Sequence, residues 1–178
     1  MSGASAQRTV ASWLPAAAPG PTAFDRVLGL CPDLCADYHA FLALFWTRRS
    51  VDAVVLELCR LRVAQLVGCE AELRLRYEPA RAAGLDEAKI ALLDRWPTAA
   101  TFTDAERSCL AYAEQFVLDV HGITDAQATE VTAHLTPAGL VALTEALALF
   151  EGFARFRMML DIVPEALVLA ADGRPGAR

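Results

Sequence analysis

Apolar residues recur every three or four positions along most of this chain, the spacing that lines one face of an α-helix, and the strict alternation of a half-buried strand is missing. From Thr22 to Thr47 the pattern predicts helix with a break at Cys31-Pro32, and its second piece, Asp33 to Trp46, carries a stripe of Leu34, Tyr38, Phe41, Leu42 and Phe45. Val51 to Val67 is apolar almost all round, interrupted by Asp52, Glu57, Arg60, Arg62 and Gln65, so it predicts a helix buried on most of its circumference. Gly68 breaks that run, and Cys69 opens a second helical segment through Arg76, with a kink near Tyr77 or Glu78 imposed by Pro79. Gly84 is placed to end the segment in a left-handed conformation, and Asp86 to cap a helix to about Leu92. Thr103 with Glu106 forms a capping box for a long amphipathic helix to about Val120. Thr124 with Gln127 repeats the signal for a shorter helix ending near His134, and Thr136-Pro137 opens a last one to about Leu160. No strand is predicted, so the fold class is all-α.

Composition narrows the picture. At 178 residues the chain suits one domain with a real core. We expect a mobile Ala/Ser/Gly/Pro-rich arm over residues 1–21, in which Trp13-Leu14 could dock on a neighbouring subunit. A helical domain follows over 22–164, then a short tail over 165–178 with Asp172 to Gly176 disordered. No uninterrupted apolar stretch approaches the length of a membrane span, and a net charge of -6 argues against a general nucleic-acid or anionic-membrane surface. Five cysteines without a secretory signal imply free thiols in a reducing cytoplasm. Cys59 and Cys109 read as core fillers, and Cys31 and Cys35 lack a partner pattern for zinc, so no metal and no cofactor is expected.

The chemistry concentrates between Ser50 and Leu85. A carboxylate in a buried helix needs a partner or a raised pKa, and Arg60, three residues on, is the nearest partner for Glu57. Cys69 at a helix N-terminus, among arginines, is placed for a lowered thiol pKa. Glu72 and Arg76, four apart, form the favourable helical pair. Arg48, Arg49, Arg60, Arg62, Arg74, Arg76 and Arg81 cluster here, able either to hold an anion through forked hydrogen bonds or to pair with neighbouring Asp52, Glu57, Glu70, Glu72 and Glu78. His39, near the aromatic stripe, is either a satisfied buried histidine or an imidazole brought to the site from elsewhere. His121 and His134 fall at helix ends, where the backbone dipole suits them.

Glu57, Cys69, Ala80, Gly84 and Leu85 together resemble the alkylhydroperoxidase D and carboxymuconolactone decarboxylase superfamily. Its redox branch looks like Glu, eleven residues, then Cys-x-x-Cys-x-x-x-His-x-x-x-Ala-x-x-x-Gly-Leu. This chain has Glu72 at the second cysteine and Arg76 at the histidine. The segment from Glu72 to Arg76 also resembles the Glu-Leu-x-x-His element of the decarboxylase branch, again with arginine for histidine, and Phe102 to Glu114 matches a further family segment. The resemblance spans Asp33 to Pro164 and implies an AhpD-like helical bundle assembling as trimers or hexamers.

Carried over position by position, the resemblance makes Glu57 the relay carboxylate and Cys69 the resolving thiol. A carboxylate at Glu72 cannot form the disulfide, and a guanidinium at Arg76 cannot shuttle protons near neutrality. Three functions remain open. The first is a small-molecule pocket, with Glu57 as acid or base and Arg76, aided by Glu72, Arg60 and His39, binding an anionic ligand in a lyase-like or isomerase-like reaction or in simple binding. The second is a one-cysteine peroxidase using Cys69, and the third a non-catalytic oligomeric relative whose Glu57, Glu72 and Arg76 form an ionic network.

Overall fold

The computed structural model describes Leu14 and residues 18–176. Among the described residues, nine α-helices and two short strands follow in order: α1 (Ala23–Leu28), α2 (Pro32–Thr47), α3 (Ala53–Val67), α4 (Glu70–Leu73), β1 (Leu75–Tyr77), α5 (Glu78–Ala82), α6 (Glu87–Ile90), α7 (Asp104–Leu118), α8 (Asp125–His134), α9 (Pro137–Met159) and β2 (Leu167–Leu169). The fold is mainly α-helical. Most of the predicted arm lies outside the described residues, Trp13 included, whereas Leu14 packs on the small cluster of Ala23, Phe24, Val27, Leu28 and Ile162.

The centre of the molecule is α3, packed most extensively against α7 and α9. Its nearly continuous apolar circumference is what that position demands: Leu56, Leu58, Cys59 and Val63 have no exposed surface. Asp52 caps its N-terminus by accepting hydrogen bonds from the Val54 and Val55 amides. Gly68 ends it at φ 73, where a β-carbon would be strained. Cys59 and Cys109 are fully buried fillers. The capping boxes at Thr103/Glu106 and Thr124/Gln127 and the Thr136 cap with Pro137 at the first turn form as the sequence predicts. Of the α2 stripe, Leu42 is buried and stacks into the core, while Leu34 and Phe41 remain exposed.

Among the described residues α9 is long and apolar enough, by length and composition, to cross a membrane. It nonetheless packs on α3 and α7, and its Arg157 is buried in an ion pair inside the protein, the signature of a core helix.

Two corrections concern the segment after Cys69. Instead of running as one kinked helix until Gly84 ends it, the chain leaves α4 at Leu73 and extends through β1, and Pro79 sits in the first turn of a new helix, α5. Proline there loses nothing, because the amide it lacks has no partner in a first turn anyway. The tail is not disordered at Asp172 to Gly176: β2 pairs in parallel with β1, Leu75 opposite Leu167 and Tyr77 opposite Leu169, and a turn follows in which the Gly173 amide donates to Ala170.

Candidate functional site

Glu57 lies on the face of α3 turned toward α4 and β1, and both it and Arg60 are 1% exposed. One helical turn separates them, so the guanidinium folds back onto the carboxylate: Arg60 Nε donates to Glu57 Oε2 at 2.7 Å and Nη2 to Oε1 at 2.8 Å. The other Arg60 hydrogens go to Glu72 Oε2 (2.8 Å), the Glu72 carbonyl (2.9 Å) and the Leu75 carbonyl (2.9 Å). That accounts for all five donors of the guanidinium. The Glu57 carboxylate also accepts the Tyr77 amide at 3.3 Å. On its far side Glu72 accepts from Arg157 Nε, delivered by α9, and the Arg157 guanidinium lies 3.9 Å from the centre of the Phe24 ring.

The result is an unbroken linear chain, Glu57–Arg60–Glu72–Arg157, of two carboxylates and two guanidiniums, with zero net charge and buried at every member. Burial pushes the Glu57 carboxyl above its ordinary range, against the pull of Arg60. Burial pushes Glu72 the same way, but Arg157 and Arg60 together outweigh it and hold its carboxyl low. Burial disfavours a charged Arg60, yet the Glu57 and Glu72 carboxylates raise its pKa further and keep it protonated. Trp46 stacks on Tyr77, centroids 4.4 Å apart, and seals this side; its Nε1 is a buried donor without an acceptor among the described residues.

The residues singled out from sequence therefore divide. Glu57, Arg60 and Glu72 come together. Arg76 does not join them: the extended backbone of β1 turns Leu75 and Tyr77 inward and Arg76 outward, where it grips Glu87 through Nε at 2.7 Å and Nη2 at 2.8 Å. The expected Glu72–Arg76 pair is thus replaced by Glu72–Arg157 and Arg76–Glu87, because the helix that would have made it ends at Leu73. Arg76 lines a surface hollow with Arg81 and Glu87, while Glu57 is buried.

Cys69 is fully buried beneath Ala154. Burial raises its thiol rather than lowering it, since the helix it opens is only four residues long and offers little dipole. His39 is buried in the corner between α1 and α2, its Nε2 2.7 Å from Asp25 Oδ1 and its Nδ1 2.5 Å from the Asp172 carbonyl oxygen. It is bonded away from Glu57 and Arg60.

Sequence reasoning missed Arg157, Asp25 and Glu87. For Arg157 a signal existed, an arginine without a carboxylate three or four residues before it in the apolar last helix, unlike Arg155 with Glu151, but nothing local names a carboxylate 85 residues away as its partner.

The sequence profile of the carboxymuconolactone decarboxylase family matches residues 35–115. The uncharacterized Escherichia coli (strain K12) protein YnjA is 31% identical over 128 residues, 71% of this chain and 70% of its own length. Among solved structures, a protein of unknown function from Agrobacterium tumefaciens assigned to the antioxidant-defence protein AhpD superposes with a TM-score of 0.66 at 19% identity, over 78% of this chain and 94% of that one. The debrominase Bmp8, solved with 2,3,4-tribromopyrrole, superposes with a TM-score of 0.70 at 14% identity, over 85% of this chain and 79% of that one. Those two likenesses concern the fold. The chain belongs to the carboxymuconolactone decarboxylase family.

Proposed function

We propose that this chain is a carboxymuconolactone decarboxylase-family protein that has lost the dithiol peroxidase cycle, its former centre now serving as a structural ion chain in a homo-oligomer. One observation carries the reading: Glu72, at the position of the second cysteine, is saturated by Arg60 and Arg157 with its carboxyl held ionised. A carboxylate so bound neither attacks a peroxide nor joins a disulfide, and Cys69, buried with a raised thiol, is a poor nucleophile on its own. The unpaired thiols suit a reducing cytoplasm. With hydrogen peroxide or cumene hydroperoxide and a dithiol reductant, the expected turnover is no higher than the protein-free blank, and Cys69→Ser leaves it unchanged. Peroxide consumption that disappears in Cys69→Ser would sink the reading in favour of a one-cysteine peroxidase.

The homo-oligomer rests on an apolar face. Phe41 and Leu44 on α2 and Val141 on α9 are 37%, 39% and 66% exposed. Beside them a 300 Å³ hollow is lined by Phe41, Leu44, Val51, Leu56 and the opposite charges Arg48 and Glu145. Neither charge has an ion-pair partner among the described residues, so a second copy can cover the apolar surface and match Arg48 to Glu145. Light scattering is expected to show a trimer or hexamer that Phe41→Asp shifts toward the protomer; a monomeric wild type at micromolar concentration would exclude this interface.

A further inference from the structure

Among the described residues outside the ion chain, one cluster of ligating atoms stands apart. Asp25 of α1 and Cys35 and His39 of α2 bring a carboxylate oxygen, a thiol sulfur and an imidazole nitrogen within 4.8 Å of one another. Cys35 and His39 are one helical turn apart, which points both side chains the same way, and the α1–α2 corner lays Asp25 against them. The second ring nitrogen and the second carboxylate oxygen are already occupied. His39 Nδ1 faces the Asp172 carbonyl at 2.5 Å, and Asp25 Oδ2 accepts the Thr22 hydroxyl at 2.6 Å. A ring N–H given to a backbone carbonyl is the support that fixes a metal-binding histidine in the tautomer whose Nε2 is free to coordinate, and a hydrogen-bonded second oxygen does the same for a carboxylate.

With Nδ1–H donated to Asp172, the Nε2 lone pair and the Asp25 Oδ1 lone pair face each other at 2.7 Å, a contact that is stable only with a positive charge between them. A proton fills that role in the imidazolium form. We propose that a divalent transition-metal ion of the zinc class takes it as well, bound by Asp25 Oδ1, His39 Nε2 and Cys35 Sγ.

One nitrogen, one oxygen and one thiolate suit zinc, and three protein ligands leave a fourth position open. Asp25 and His39 are buried while Cys35 is partly exposed, so that open position falls on the solvent side. Oxygen and nitrogen need only part by roughly half an ångström to reach the spacing of a tetrahedral site. A dication with one thiolate, one carboxylate and a neutral imidazole leaves a buried group of no net charge. The other cation facing Cys35 is Arg174, whose guanidinium lies 3.7 Å from the Asp172 carboxylate. Binding releases the Cys35 thiol proton, so affinity rises with pH.

The test uses the full-length reduced protein, stripped with a chelator and titrated with Co²⁺ and then Zn²⁺. One equivalent of Co²⁺ is expected to give a thiolate-to-cobalt charge-transfer band with tetrahedral visible absorption, both erased by Zn²⁺. Cys35→Ser is expected to abolish the charge-transfer band, and Thr22→Val to weaken binding by about 10–100-fold. Cys31→Ser, at an exposed thiol outside the cluster, leaves the spectrum unchanged. A wild type that gives no band, a band surviving Cys35→Ser, or one lost in Cys31→Ser overturns the site and means that a proton alone joins His39 to Asp25. Cys35 is partly exposed, so its serine variant should fold, and circular dichroism confirms it. None of these readouts depends on the absence of peroxidase activity.

Discussion

Glu72→Ala is expected to destabilise the protein by about 3–5 kcal/mol, among the largest effects of any single charged-residue substitution in this chain. The loss comes from what is left behind more than from what is removed. Arg60 and Arg157 are both buried, and without Glu72 a guanidinium from α3 and one from α9 are left with one buried carboxylate, Glu57, between them. Urea denaturation followed by circular dichroism measures the effect. Arg74→Ala is the internal control: Arg74 and Glu70 form a surface pair whose side chains are 52% and 64% exposed, and such pairs contribute at most about 1 kcal/mol. A double-mutant cycle sharpens the test. Arg157→Met made on top of Glu72→Ala should cost less than it does in the wild type, because the second cation is then already orphaned. Equal effects of Glu72→Ala and Arg74→Ala would mean that the ion chain does not exist in solution.

The second large effect is in acid. Glu72 and Asp25 both have folded-state pKa values below the ordinary 4.5 and 3.8. Burial opposes this, but Arg157 and Arg60 hold Glu72 down, and His39 and Thr22 hold Asp25 down. A lowered carboxylate contributes stability that is present above its unfolded-state pKa and lost as pH falls through its folded-state value. Glu57 has the opposite sign: burial raises it, so its contribution declines as pH rises through the raised value. The expected result is a steep loss of stability below about pH 4.5. Glu72→Gln should flatten that slope and Glu57→Gln steepen it. Chemical denaturation at a series of pH values reads both, and variants that moved the slope the same way would contradict the assignment.

How far the sequence alone reaches can be followed residue by residue. Helix existence was legible because apolar spacing and local caps are short-range: Asp86, Thr103, Thr124 and Thr136 all cap helices through side-chain bonds within three residues. The family was legible in Glu57, Cys69 and the Ala80, Gly84, Leu85 spacing. The strand at Leu75–Tyr77 was not, since three residues carry no usable period and its partner, Leu167–Leu169, lies in the tail. That single missed element displaced Arg76 from the site. Arg60 pairs with Glu57 as the sequence predicts because they share a helix turn, whereas the Arg157–Glu72 and His39–Asp25 pairs depend on how separate helices meet, which no local pattern encodes.

The position of Arg157 also bears on biogenesis. Glu72 is synthesised long before the arginine that completes its neutralisation, and the strand that covers Leu75 comes later still. While α9 is still in the ribosome, the segment around α4 carries a carboxylate with only half its counter-charge, so it cannot settle into an apolar interior. Neutralisation of Glu72 therefore waits for docking of the last helix, and nascent chains halted before Arg157 should stay open and bind chaperones.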